Sequence, residues 1–470
     1  MYRKLAVSVI FSVFVLSGCS EINYEESVPA AVSAVQTYTA ADTQTAAQTT
    51  THTVTEIQTT SETTAETEIT SSAVTTSESE TVTEKHPSEV NFSEEENIPA
   101  DAPVFEVFSD ISLADIIGGE KKLPEDIAPE DHLPDTSVIG GFRADIVHYE
   151  NGSEHTDTYY YSVKDTAPPL ILNRNNDVFI KTGSEFIIGD HVGAGDYYDD
   201  TVMISYSGNV DTLTAGRYPI TVSASDTSGN VTEWDITVTV GESAPTSGSG
   251  YCPPLDFSGL IEKHGADGVL GIDVSKWQGY IDFNAVKNAG CEFVIMRIGK
   301  DIGGISEDEY FERNFTEARN AGLKTGVYLY SAASTEEEIT AETEWICSKL
   351  GENKLDLPVA FDWENFTNYQ KYGISLHRLN ELYGLFDEKM NEYGCGTMLY
   401  SSMFFMREVW ETDRPVWLAH YTDQAVRTDY SGNYSIWQMC SDGRIAGIDG
   451  DVDVDIVVDG ELFSENVSEE

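Results

Sequence analysis

Positive charge is what this chain has least of: 27 Lys and Arg stand against 81 Asp and Glu, a formal net charge of −54. Such a surface repels phosphate backbones and anionic headgroups, which excludes nucleic acid as a partner. Long apolar runs are also scarce. After Leu16 no stretch approaches the roughly 18 apolar residues that a membrane-crossing helix needs. Cysteine is rare too, and the six present form no close pairs of the kind that hold zinc or exchange disulfides. Beyond Cys19, the remaining Cys252, Cys291, Cys347, Cys395 and Cys440 are odd in number, so at least one stays unpaired in a monomer. They read as small core residues with room for one or two disulfides, and none stands in a nucleophile's setting.

What is present begins with Arg3 and Lys4 ahead of an apolar run, Leu5 to Leu16, closed by LSGC. The run is too short to span a bilayer. It resembles a bacterial lipoprotein signal, in which the cysteine, here Cys19, becomes the lipid-bearing N-terminus. That resemblance implies a signal over residues 1–19, a membrane contact through the lipid anchor, and a place on the extracellular face of a bacterium. Residues 20–100 are dominated by Thr, Ser, Ala and Glu, with Lys85 the sole Lys or Arg. With few large apolar groups to offset the entropy of ordering, this segment is expected to be a disordered stalk. About 80 such residues average roughly 50 Å end to end and stretch beyond ~200 Å.

From residue 101 the pattern changes to short alternating runs such as RYPITVSASD and EWDITVTV, broken by Gly, Asn and Asp turns, as in small β-sandwiches. PDTSVIGGFRADIVHYENGS near Asp135 echoes VDTLTAGRYPITVSASDTSGN near Asp211, so two tandem modules are expected, 101–165 and 166–241, with KDTAPPLI as the joint. The second resembles the bacterial Ig-like repeats of surface proteins, and the first is a more diverged copy; the resemblance implies spacing or adhesion. The acids of GDHVGAGDYYDD, Asp190 to Asp200, lack EF-hand spacing and read as a solvated loop, with calcium binding the alternative. Residues 242–265, rich in Gly, Ser and Pro, read as a linker.

Over residues 266–463 strand-like and helix-like stretches alternate. VLGIDVS, FVIMRIG, TGVYLYS, PVAFDWE, TMLYSS, PVWLAHY, YSIWQMC and VDVDIVV are the strands, and amphipathic segments such as TEEEITAETEWICSKLG lie between the early ones. Alternation implies a mostly parallel sheet, and eight strands in about 200 residues imply a closed α/β barrel. Reacting groups in such barrels sit where strands end. Asp362 and Glu364 end the fourth strand and, as i and i+2, point the same way. Asp273 ends the first strand, and closure would bring Asp453, in the last, beside it. Crowded carboxyls raise one another's pKa and keep one protonated as a general acid, which glycosidic hydrolysis requires. Metal binding is the rival use of such a cluster, disfavoured because only His420 adjoins these strand ends. No metal or cofactor is expected. Trp277, Tyr328, Tyr330, Trp363, Tyr400, Tyr421 and Trp437 also lie at strand ends and suit stacking on sugar rings, whereas Trp417 reads as core.

GIDVSKWQG, AFDWEN, LYSS, WLAHY, IWQ and GDVDVD, in that order from Gly271 to Asp455, together resemble the family 25 glycoside hydrolases, the barrel-type lysozymes. The resemblance implies an irregular TIM-like barrel that cleaves the β-1,4 bond between N-acetylmuramic acid and N-acetylglucosamine in peptidoglycan. It implies Glu364 as general acid, Asp362 as the carboxylate that orients and stabilises the substrate's own attacking acetamide, and Asp273 and Asp453 as supporting acids. Gln278 and Gln438, inside the same motifs, join the aromatics as expected sugar contacts. Asp455 stands where many members carry Asn, and Leu329 and Tyr330 depart from the common GxYHF-like pattern. The expected protein is a monomeric, lipid-anchored muramidase. A non-catalytic glycan-binding or adhesion protein on the same barrel is the alternative, and a glycosidase for another polysaccharide is a second.

Overall fold

The computed structural model describes residues 87–118, 123–150, 153–173, 176–244, 255–422, 425 and 427–463. The lipoprotein signal with Cys19, the stalk as far as residue 86 and Cys252 lie outside the described residues. Among the described residues no helix is long and apolar enough to cross a membrane.

The first module is a four-stranded sheet. Strands β3 (Gly140–Glu150) and β4 (Ser153–Lys164) form a long antiparallel hairpin, flanked by β1 (Glu89–Glu94) against β3 and by β2 (Val104–Glu106) parallel to β4. Helix α1 (Leu113–Ile117) packs Leu113 against Ala144 and Ile146 of β3. Here the expected stalk boundary is corrected. Residues 89–94 are ordered because an open hairpin edge would leave a row of unpaired N–H and C=O groups, and β1 covers the edge of β3.

The second module holds the echo of that hairpin in β9 (Gly216–Ser225) and β10 (Val231–Gly241), flanked by β8 (Met203–Ser207) and by β6 (Asp177–Lys181). A two-stranded pairing of β5 (Leu170–Ile171) with β7 (Ala194–Gly195) lies beside it. Alternation along β9 and β10 sends Ile220, Val222, Ala224, Ile236, Val238 and Val240 into one apolar core.

The barrel consists of β11 (Val269–Val274), β12 (Phe293–Asp301), β14 (Lys324–Ser331), β15 (Val359–Trp363), β16 (Thr397–Ser402), β17 (Val416–Ala419), β18 (Ile436–Gly443) and β19 (Val452–Val457), with short β13 (Ile305–Glu307) added to β12. Pairing of β11 with both β12 and β19 closes the circle. Seven strands run parallel; β19 is antiparallel to both its neighbours. Phe293, Ile295, Ala360, Met398, Trp417 and Val457 fill the interior, while the alternate residues pack under the helices. These helices are α2 (Phe257–His264), α3 (Phe283–Asn288), α4 (Phe311–Asn320), α5 (Glu336–Leu350), α6 (Leu376–Glu392) and α7 (Met403–Glu408). The expected linker is shorter than its composition suggests, since Phe257 and Leu260 of α2 are buried in the barrel's outer core.

Helix ends follow from local chemistry. In α5 the Thr335 hydroxyl accepts the Glu338 N–H while the Glu338 carboxylate accepts from Thr335, and three glutamates in the first turn suit the positive end of the helix. The start of α6 is capped from outside. Ser375 N–H donates to Asp200 Oδ1 (2.8 Å), Leu376 N–H to the Asp196 carbonyl (2.7 Å) and His377 N–H to the Tyr197 carbonyl (3.2 Å), all in the second module. These are amides that a helix start cannot pair internally. The same face is tied by Gln370, which donates to the carbonyls of Gly189 and Val192 and accepts from Ala194 N–H, and by a Lys371–Asp190 ion pair. The Phe108 ring of the first module stacks on His377 at 3.7 Å. The second module therefore sits on the segment that follows β15.

The close approach requires glycine: a Cβ at Gly193 would stand 1.8 Å from the Phe366 carbonyl, and one at Gly195 2.7 Å from the Tyr369 ring. Gly193→Ala is expected to loosen this contact at a cost of about 1–3 kcal/mol. Hydrogen exchange should then rise at Leu376 and His377 with little change in β9 and β10; unchanged exchange at those two amides would show that the contact is dispensable.

Candidate active site

Period-two alternation decides which side chains enter the barrel. On β15, Ala360 and Asp362 point in while Phe361 and Trp363 join the outer core. On β12 the inward set is Phe293, Ile295 and Arg297, and on β18 it is Ile436 and Gln438. Antiparallel closure places Asp453 of β19 directly opposite Asp273 of β11, and Asp455 opposite both Gly271 and Gln438. Asp362, Asp273, Asp453 and Asp455 thus converge, with Glu364 one residue past the end of β15.

The cluster is held by neutral donors. Gln438 Nε2 donates to Asp273 Oδ2 at 2.6 Å, and its own Oε1 accepts from Tyr400 (2.8 Å) and Tyr421 (2.7 Å). The indole N–H of Trp417 donates to Asp455 Oδ1 at 2.7 Å. Burial, with the neighbouring charges of Asp453 and Asp455, lifts the pKa of Asp273 well above the carboxylate range. Burial likewise raises Asp455, opposed by the Trp417 donor, and pushes Asp453 up to about 7, helped by Glu364, Asp451 and Asp442.

Asp362 and Glu364 lie within hydrogen-bonding reach of each other, a bond that exists only while one of them carries a proton. Burial and then the Glu364 charge raise Asp362 strongly; Arg297 pulls the other way. Glu364 is exposed at the mouth, yet the surrounding walls still desolvate its carboxyl and raise its pKa. The pair titrates as a unit, with both carboxyls raised above their ordinary values by burial. Asp362 Oδ1 is buried with no hydrogen-bond donor.

Several expected sugar contacts need correction. Trp363 is fully buried, its indole N–H donating to the Ala333 carbonyl, and Trp437 is buried with its N–H on the His420 carbonyl. Each precedes or follows an inward residue by one position and so faces the helices. Gln278 spends its amide on Ser275 N–H and the Asp451 carbonyl, which shapes the loop after β11. Tyr400 is buried and positions Gln438. Tyr328 lies beside Asp273 and Asp362 within the barrel, and Tyr330 reaches Asn365 Oδ1 at 3.4 Å. Trp277 and Tyr421 remain open to solvent, 54% and 41% exposed, as a sugar-stacking surface must be. Trp417 is core, as expected, but also a donor to the acid cluster.

Arg297 and Asp308 were not singled out from sequence. Arg297 grips Asp308 Oδ2 through Nε (2.9 Å) and Nη2 (2.7 Å), and that oxygen also accepts from Lys276 N–H at the loop carrying Trp277. The signal available was a lone charge inside the apolar run FVIMRIG. A cavity of about 850 Å³ opens at the opposite end of the barrel, between α5 and α6, and none of the clustered acids lines it.

Residues 272–448 match the profile described as glycosyl hydrolases family 25, and residues 170–240 match the Ig-like domain of bacterial surface proteins. The barrel is a family 25 glycosyl hydrolase domain. Lysozyme M1 of Streptomyces globisporus is 31% identical over 202 residues, covering 40% of this chain and 66% of that protein. The autolytic lysozyme of Clostridium acetobutylicum is 29% identical over 200 residues, covering 42% of this chain and 58% of that protein. This chain therefore spans under two thirds of either relative. The solved bacterial lysozyme of Streptomyces coelicolor aligns over 42% of this chain and 97% of its own, with 25% identity and a TM-score of 0.37.

Two predictions follow from the electrostatics of this family 25 domain. Asp453 binds a proton more tightly folded than unfolded, so stability is lost as pH rises from its ordinary value of 3.8 through about 7. Asp453→Asn should be more stable than the parent at pH 8, with the advantage fading toward pH 4; equal advantages at both values in thermal melts would refute this. Asp308 is almost wholly buried. Arg297→Met should cost about 3–5 kcal/mol by stranding that charge, and adding Asp308→Leu should restore most of the loss in denaturant titrations.

Proposed function

We propose that this chain hydrolyses the β-1,4 bond between N-acetylmuramic acid and N-acetylglucosamine in bacterial peptidoglycan. The observation that carries this reading is the proton-sharing pair of Asp362 and Glu364 at the barrel mouth. Two carboxyls in hydrogen-bonding contact are closer than the ~5 Å or more that separates acid and nucleophile, or acid and base, on opposite faces of a sugar. Both therefore act from one side, and the attacking group comes from the substrate. Glu364, the open member of the pair, donates its proton to the glycosidic oxygen as the C1–O bond breaks. The acetamide oxygen of the same sugar attacks C1, while Asp362 Oδ1, buried without a donor, accepts the acetamide N–H and stabilises the positive charge. Water then adds at C1 and returns its proton to Glu364. Asp273, Asp453 and Asp455 supply the negative surroundings, and Trp277 and Tyr421 offer stacking faces.

The lysozyme names of the two relatives support the substrate. The rest of the chain fits a monomeric protein anchored through a lipid on Cys19 at the cell's outer face. In this reading the first sheet is a diverged Ig-like spacer and the barrel an irregular relative of the TIM fold.

Digestion of purified peptidoglycan by the full chain, followed by mass spectrometry, tests the proposal. Wild type should release fragments with reducing N-acetylmuramic acid ends, and Glu364→Gln should release them roughly 10²–10⁴-fold more slowly. The rate should fall as pH rises through the titration of the pair, which burial places above the ordinary carboxylate range. Release of fragments with reducing N-acetylglucosamine ends would reassign the bond cleaved. No release from any wall chemistry by folded protein would leave a glycan-binding barrel.

A further inference from the structure

The acids of the second module form a cluster that the catalytic reading does not use. Carboxylate oxygens of Asp165, Asp199 and Asp226 all lie within 4.8 Å of one another. Asp196 adjoins them and is 1% exposed, so the solvated loop expected over Asp190 to Asp200 is instead folded inward here. Asp165 sits in the joint just after β4, Asp196 and Asp199 follow β7, and Asp226 opens the turn between β9 and β10.

Hydrogen bonds aim these carboxylates: Ser228 donates to Asp165, and each oxygen of Asp199 and of Asp226 accepts one bond and keeps a lone pair. Asp196 Oδ1 accepts from Tyr198 and Asp199 N–H (2.8 and 2.9 Å). Asp199 accepts from Thr227 N–H and hydroxyl (2.9 and 2.7 Å), and Asp226 from Asn230 N–H and Nδ2 (2.8 and 2.9 Å). Two oxygens are left over: Asp165 Oδ2 and Asp196 Oδ2 are buried with no hydrogen-bond partner, on residues 7% and 1% exposed. The charges acting on Asp165 come from Asp196, Asp226 and Glu106, all negative. Carboxylate oxygens withdrawn from water, crowded together and lacking a donor are costly unless a cation joins them.

We propose that Asp165, Asp196, Asp199 and Asp226 form a divalent-cation site of the calcium class at the joint between the two modules. The donors are all hard oxygens, with no His or Cys among them, which favours calcium or magnesium over zinc. Calcium takes oxygens at about 2.3–2.6 Å, so opposed ligands stand up to roughly 5 Å apart, a span that accommodates oxygens lying within 4.8 Å of one another. The ion ties three separate segments together. One of them, 196–200, caps the start of α6, so occupancy stiffens the seat of the second module on the barrel.

The test uses the full chain stripped with EDTA and titrated with CaCl2, read by calorimetry and thermal unfolding. Wild type should bind calcium saturably and melt roughly 5 °C higher at a 100-fold excess over Kd. The double variant Asp199→Asn, Asp226→Asn should lose both effects. In EDTA that variant should be at least as stable as wild type, because it relieves carboxylate repulsion, and in calcium it should be the less stable of the two. A wild type with no heat and no shift at about 10 mM CaCl2, well above the ~10⁻⁴–10⁻³ M range of extracellular sites, would overturn the proposal. So would an equal shift in the variant, or a variant that is already destabilised in EDTA.

Discussion

An antiparallel strand closing an otherwise parallel barrel is the constraint on which the site depends. Because β19 runs against β11, Asp453 falls opposite Asp273, and the next inward residue, Asp455, falls opposite Gly271 and Gln438. Acids from the first and last strands are thereby packed into one mouth with the pair on β15. Their repulsion is met by uncharged donors, Gln438 and Trp417, together with one arginine, rather than by a matching set of cations. Neutral donors hold the carboxyls in place without forcing them to ionise. The result is a mouth whose carboxyls hold protons above the ordinary carboxylate range.

Much of this was legible in the amino-acid order. The eight barrel strands are those that the alternation of apolar runs and helical segments picks out, and the neighbourhood of Asp273 and Asp453 follows from counting strands to closure. The limits of that reading have a physical cause. Position along the chain groups the aromatic residues near strand ends together, although a strand turns successive side chains to opposite faces. Trp363 stands between Asp362 and Glu364, and Trp437 beside Gln438, so the same alternation that brings their neighbours into the mouth takes both indoles to the helices. Two-residue counting applied to every strand end would have separated them.

Other features depend on contacts between distant segments. Arg297 and Asp308 belong to one turn of chain but act on Lys276 and Asp362, which no local pattern links. The edge strand β1 lies within a Ser- and Glu-rich stretch, and only the open edge of β3 explains its order. Nor does the composition of Asp190 to Asp200 indicate that its carbonyls cap a helix nearly 180 residues later in the chain. Local propensity speaks for elements; pairing between elements is decided by edges, orphan amides and charge.

Gly193 and Gly195 have an evolutionary consequence. Surface proteins are often assembled by exchanging Ig-like units as interchangeable beads, a practice that works when each bead ignores its neighbour. Here the bead supplies carbonyls to the first turn of α6 and meets the loop after β15 at a distance only glycine permits. A recombination event that replaced this unit with another of the same fold would leave the Leu376 and His377 amides at the start of α6 without their carbonyl partners. Substitutions on either side of their contact are therefore expected to appear together across descendants.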